Sequence, residues 1–356
     1  MMVSSLKKGY IHSFIHSFIA KRVGGVSMKR NTFFRPLYFL ILLTMALVAN
    51  NSSANSQNII LCGGSPGGLW SLLGAGLNSA VQKVDPSSVV TYQTSSGGFA
   101  NIMQTKSGKC DISIAHIGEI VIAEKGIKPF SSPVTGTRAI SLLYNWAPMQ
   151  WLVDRDFAEK HGLKTISDLG KKGLKVNLVV NRKGILPSIL AESSLQKSGV
   201  TFEKILSSGG SIQYQGSKSA SQIMQDRKAD IWVNATFIGS GKIKAIAKVR
   251  DLRMLSVDKV VIDMMSEEFG SKSFTIQADS YEWLREDVET FGAQAALVAS
   301  EGSNAEKVEL VAKAISLYPE EIQKIHPAMK SFDLKLAASV SVIPYHKKAA
   351  IIMDNK

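Results

Sequence analysis

Apolar and polar positions alternate in short blocks along most of the chain. The pattern predicts strands at Asn58–Cys62, Ser88–Gln93 and Asp111–Ala115, separated by helices at Gly68–Lys83 and Gly97–Lys106. Short apolar runs between helices point to an α/β fold with a parallel sheet covered on both faces. In "RAISLLYNWAPMQWLVDRDF" two extended runs, Ala139–Tyr144 and Met149–Val153, are expected to be split by Pro148, and long strands there suit a crossing between lobes. The pattern then restarts. Ser167 is positioned to cap a short helix in "TISDLGKK", "LKVNLVV" reads as a buried strand, and Pro187 suits the first turn of the next helix.

Two segments echo one another. "SSGGFANIMQTKSGKCDISIA" (95–115) and "GSKSASQIMQDRKADIWVNA" (216–235) each read as small polar loop, helix with Ile-Met-Gln, basic turn, Asp-Ile and strand. Two related lobes explain this, and so does a common helix-to-strand grammar. Either way a helix N-terminus emerges from a small-residue loop. The same holds for "GGSPGGLW", where glycines precede a helix. The first N–H groups of a helix lack internal partners and the dipole adds positive charge, so such an end holds an anion. The loop lacks GxxxxGK[ST] and GxGxxG, which favours a carboxylate over a pyrophosphate; a tight turn needing close packing is the other reading.

The N-terminus changes the compartment. Met28-Lys29-Arg30 and Arg35 are followed by the apolar run Leu37–Ala49 and by small residues at Ser52-Ser53-Ala54. Thirteen residues rise only about 20 Å as a helix, short of the roughly 30 Å hydrocarbon core. A cleavable signal peptide is therefore expected, with export to the periplasm and no membrane insertion of the mature chain; an uncleaved anchor is the alternative. The expected organisation is residues 1–54 as upstream extension and signal peptide, 55–145 as the first part of lobe 1, 146–250 as lobe 2, and 251–356 as the return to lobe 1 with C-terminal helices. The first 54 residues hold seven Lys or Arg and no Asp or Glu, so the net charge of +13 falls to +6 without them. Such a surplus, without like-charge blocks, predicts no nucleic-acid partner and a mild preference for anions. Cys62 and Cys110 belong to no metal-type cluster; they read as buried small apolar residues in preference to a disulfide, which export would permit.

The ordered series "GGSPGGLWSLLGAGL", "TSSGGFANIMQTKSGKCDISIAH", "TISDLGKKGLKVNL" and "IPYHKKAAIIM" resembles the TAXI family of solute-binding proteins of TRAP transporters over essentially the whole mature chain. The resemblance implies a type II periplasmic-binding-protein fold with two α/β lobes, a hinge and a cleft closing on a small organic anion such as an amino acid or a mono- or dicarboxylate. It also implies delivery to an ion-gradient-driven TRAP permease, with no catalytic residue, metal or cofactor. The nominated ligand-binding residues are Ser65, Pro66, Gly67, Gly68, Leu69 and Trp70 in the first loop, then Ser95, Ser96 and Gly97 in the second. Beyond them stand His116, Arg182, Lys183, Gly184, Ala235 and Thr236.

Departures from the family pattern fall at the ligand. Leu69-Trp70 replaces an aromatic pair, and "VNRKGILPS" places Arg182 and Lys183 where small residues are usual, which favours a more anionic ligand if they face the cleft. His116 reads as either cleft-facing or an ordinary loop residue, and Trp146 as an interlobe packing residue in preference to a stacking platform. His346 is expected to tie the C-terminal tail to lobe 1. A sensory or partner-binding protein on the same fold, and an enzyme, are the alternatives. Against the enzyme stands the absence of an HExxH pattern and of any dense His, Cys and carboxylate grouping.

Overall fold

A computed structural model describes residues 56–171 and 173–354, so the expected signal peptide lies outside the described residues. Among them, no helix is long and apolar enough to cross a membrane. The strands are β1 (Asn58–Cys62), β2 (Val89–Gln93), β3 (Ile112–His116), β4 (Thr137–Asp154), β5 (Asn177–Val180), β6 (Ser211–Tyr214), β7 (Ile231–Ala235), β8 (Leu252–Leu255), β9 (Lys272–Ile276) and β10 (Val288–Ser300). They form one mixed sheet in the order β2-β1-β3-β10-β4-β7-β5-β6, with β8 on β4 and β9 on β10.

The sheet has two halves of like design. In the first, β1 lies parallel to both β2 and β3; in the second, β5 lies parallel to both β6 and β7. The echoing segments occupy equivalent places, each carrying the helix and the third strand of its triplet. Their apolar strands are buried on both faces: Ile112, Ile114 and Ala115 in one half, Ile231, Trp232 and Val233 in the other, are at most 1% exposed. The long strands β4 and β10 pass between the halves. Residues 137–148 of β4 pair with β10, and its residues 149–153 pair with β7. β8, beyond residue 251, still pairs with the second-half end of β4.

Three sequence expectations are corrected. Pro148 does not divide β4, because it stands where the strand changes partners: its missing N–H costs no ladder bond, while its carbonyl accepts from Thr236 N–H at 3.2 Å. The short helix Ile166–Gly170 is capped by Thr165 rather than Ser167. Asp168 Oδ2 accepts from the Lys164 and Thr165 N–H groups at 2.8 and 2.9 Å, and Ser167 instead donates to Asp258. Cys62 and Cys110 form a disulfide, with Cα atoms 5.9 Å apart, since β1 and the start of β3 are neighbouring parallel strands. Both residues are also buried, so the cross-link lies inside the first half beneath the glycine loop.

His346 ties the tail as expected. Its N–H donates to Ala139 O at 2.8 Å, and its Nδ1 accepts from Lys348 N–H at 3.3 Å as cap of the helix Lys347–Met353. Burial, followed by the charges of Arg138 and Lys347, lowers its pKa from the usual 6.5. The unfolded chain therefore binds a proton at a pH where the folded one does not. This contribution to stability is full above pH 6.5 and is lost as pH falls through the lower folded-state value. Denaturant melts from pH 7.5 to 5 should show a smaller acid loss for His346→Asn than for the parent, and equal losses would contradict this role.

Candidate functional site

A cavity of about 320 Å³ opens between the two halves at the C-terminal ends of their parallel strands. Each half presents helix N-termini to it. From the first half come the helices Leu69–Val84 and Gly98–Lys106, with Gly68 and Gly97 as N-caps; from the second come Leu186–Lys197 and Ser217–Gln225, with Ile185 and Gly216 as N-caps. None of these four ends has a side-chain cap. Elsewhere Asp154, Thr201, Asn304, Asp333 and His346 each accept a helix N–H through their side chains, while the helices Gly241–Ala247, Lys259–Phe269 and Pro319–Gln323 are also without a side-chain cap. At the cavity a bound acceptor can take the place of the missing cap.

Buried amides hold these loops. In the first half Asn101 Nδ2 donates to Ile114 O at 2.7 Å while Oδ1 meets Ser95 Oγ, which accepts from Gly97 N–H at 3.0 Å. In the second, Asn181 Nδ2 donates to Asn234 Oδ1 at 2.7 Å and Asn234 Nδ2 to Ser217 Oγ at 3.2 Å. Asn181 Oδ1 accepts from Arg182 N–H at 2.8 Å, which fixes the backbone that carries the guanidinium.

The cavity is positive but for one spent carboxylate. Arg182 and Lys242 line it, exposed, and neither side chain has an acidic partner among the described residues. Glu119, 2% exposed, accepts from the His116 N–H at 2.8 Å and lies 3.0 Å from His116 Nδ1. Its charge is thus taken up at the N-terminus of the helix Ile117–Lys125 and by the imidazole. On the other side of that ring, Tyr144 Oη lies 3.5 Å from His116 Nε2 and accepts from Trp70 Nε1 at 3.0 Å. Burial raises the Tyr144 pKa far above the ordinary range, so the phenol stays protonated.

The NMT1-like family model matches residues 61–351, a span that contains every residue lining the cavity. The chain belongs to the NMT1-like family. No curated protein matches it in sequence. Among solved structures it is similar to the alkanesulfonate-binding protein SsuA from Xanthomonas axonopodis pv. citri bound to MOPS, with 14% identity over 85% of this chain and 86% of that one and a TM-score of 0.44. It is also similar to MatC from Rhodopseudomonas palustris with bound malate, with 13% identity over 76% and 88% of the two chains and a TM-score of 0.46. A TctC solute binding protein from Polaromonas, without ligand, gives 14% identity over 85% and 98% and a TM-score of 0.49.

In this NMT1-like chain the cavity brings together Ser65, Gly68, Leu69, Trp70, Ser95, Ser96 and Gly97 from the first half, with His116 at the end of β3. Arg182, Ala235 and Thr236 join them from the second half. Four nominated residues lie elsewhere. Pro66 and Gly67 form the exposed turn that leads into the helix, Gly67 having φ +71, a value glycine adopts without strain. Lys183 turns its Nζ over the Tyr214 ring, 5.7 Å from the centroid, and Gly184, at φ +79, lies in the turn that follows. The sequence reading missed Glu119, Tyr144, Phe237 and Lys242 as lining residues and assigned Trp146 to packing; Trp146 both stacks on Tyr144 and faces the cavity. The spacing of Glu119 three residues after His116 is a capping-box signal that marks Glu119 but not Tyr144. Nothing local in sequence marks Phe237 or Lys242, which arrive through the meeting of the two halves.

Proposed function

We propose that this protein is an exported solute receptor of TAXI type, which binds a small organic anion of the carboxylate class in the interlobe cavity and delivers it to a TRAP permease. The observation that carries this reading is the set of four uncapped helix N-termini around a cavity lined by two cations, Arg182 and Lys242, that have no acidic partner among the described residues. Each element favours negative charge, and together they offer converging N–H donors and a guanidinium able to grip a carboxylate through two oxygens. The size suits a small molecule. No chemistry is assigned to the site: its one imidazole is held between Glu119 and Tyr144, and the phenol is kept protonated by burial. The ordered motif resemblance over the mature chain supports the transport partner and the periplasmic location.

Arg182→Ala tests the anion site. Titration calorimetry with an organic anion that binds the parent protein should show a loss of about 1.5–3 kcal/mol, the worth of a hydrogen bond to a charged group. Unchanged affinity would place the guanidinium outside the contact and leave the helix ends as the whole of the site.

A further inference from the structure

The wall of the cavity is made of rings. Trp70 packs on His116 with centroids 4.9 Å apart, Tyr144 stacks on Trp146 at 4.9 Å and 29°, and Trp146 meets Phe237 edge-on at 6.4 Å and 84°. Tyr144 is buried, but Trp70, Trp146 and Phe237 are only half-buried and all line the cavity. They come from separate places: Trp70 from the first helix turn after the glycine loop, Trp146 from the crossing strand β4, and Phe237 from the loop after β7 in the second half. The aromatic surface therefore spans both halves and begins two residues from the open helix end at Gly68.

We propose that the ligand is an aromatic or heteroaromatic carboxylate, its carboxylate on the helix ends and its ring between Trp70, Trp146 and Phe237. This rests on the anion-receptor reading above and names the body of the ligand that the charge alone leaves open. Half-buried rings gain most from a flat apolar partner, through both area removed from water and offset or edge-on ring geometry. A ring face offers no hydrogen bond to a second carboxylate or to the hydroxyls of a polyol. A quaternary ammonium would also suit aromatic faces, yet here it would meet Arg182 and Lys242 with the Glu119 carboxylate already engaged by His116.

The experiment titrates the purified protein, freed of bound molecules by dialysis, with benzoate, indole-3-acetate, cyclohexanecarboxylate, succinate, benzamide and choline. It follows heat and tryptophan fluorescence together. The expected result is that benzoate or indole-3-acetate binds at least tenfold more tightly than cyclohexanecarboxylate and succinate, with benzamide and choline inert. In Trp146→Leu the preference over cyclohexanecarboxylate should shrink to within about twofold. If succinate or cyclohexanecarboxylate binds as tightly as the aromatic acids, the ring assignment is wrong and the anion receptor stands. If benzamide or choline binds and no carboxylate does, or if no carboxylate binds at all, both readings fail.

Discussion

Gly68→Val is expected to abolish binding of any carboxylate that the parent protein binds, a loss of at least a hundredfold, while the protein stays folded. Gly68 caps the helix Leu69–Val84 with φ −89 and ψ 171, an extended conformation that a β-branched residue adopts readily. A Cβ there meets nothing closer than Ser65 O at 3.4 Å, an ordinary contact, so the fold accepts the side chain. Its carbonyl accepts from Ser71 and Leu72 N–H at 3.1 and 3.3 Å, bonds that a substitution leaves in place. Valine is a poorer N-cap than glycine, which costs about 1 kcal/mol of stability or less. What the isopropyl group removes is approach to the open N–H groups, and a hundredfold corresponds to about 2.7 kcal/mol. Gly98 would be an uninformative choice, because a Cβ there falls 1.7 Å from Glu119 Oε2 and would displace the buried carboxylate. Calorimetry beside a thermal melt checks the prediction: retained affinity in a folded variant would mean that the ligand does not reach this helix end.

The largest loss of stability is expected at Arg250, well away from the cavity. Its Nε and Nη2 donate to Asp154 Oδ2 at 3.0 and 2.8 Å, and its Nη1 donates to the carbonyls of Met224 and Ala229 at 2.9 Å each. The two side chains are only 5% and 12% exposed. Asp154 also caps the helix Arg155–His161 by accepting from Phe157 N–H at 3.2 Å, so one carboxylate closes β4 and starts the next element. Arg250→Ala leaves that carboxylate and two carbonyls buried without their partner, at a cost of about 3–5 kcal/mol. Arg227, exposed and 3.7 Å from the same oxygen, is too solvated to replace it. Denaturant unfolding measures the difference directly; a loss under about 1 kcal/mol would show that water or Arg227 compensates.

The alternating pattern made the paired α/β halves legible, because buried parallel strands need short apolar runs and cannot disguise them. The echo between 95–115 and 216–235 was an equally physical signal, since equivalent places in two halves demand the same loop, helix and strand. Pro148 misled because a proline forbids a donor only where the ladder needs one, and partner exchange is invisible in one dimension. The Cys62–Cys110 bridge was the less favoured reading for a like reason: the pair has a sequence separation of 48, and only the pairing of β1 with β3 brings them together. At the cavity, residues within a loop-to-helix motif were legible, as with Gly68, Trp70 and Gly97. The Arg182–Lys183 pair shows the limit, for neighbours in a turn send their side chains to different places: Arg182 to the cavity and Lys183 to the Tyr214 ring. Lys242, the second cation at the cavity, reaches it from the helix Gly241–Ala247 without any motif to announce it.

The central claim is that open helix ends and the cations at the cavity hold a small organic anion between the two halves. Native mass spectrometry of the protein purified from its own compartment without unfolding, followed by identification of whatever is released, tests it most directly. The account predicts one organic acid per chain, released on denaturation and not retained by Gly68→Val. A neutral or cationic molecule bound in its place, or a protein that carries nothing and gains no thermal stability from a panel of carboxylates, would contradict it.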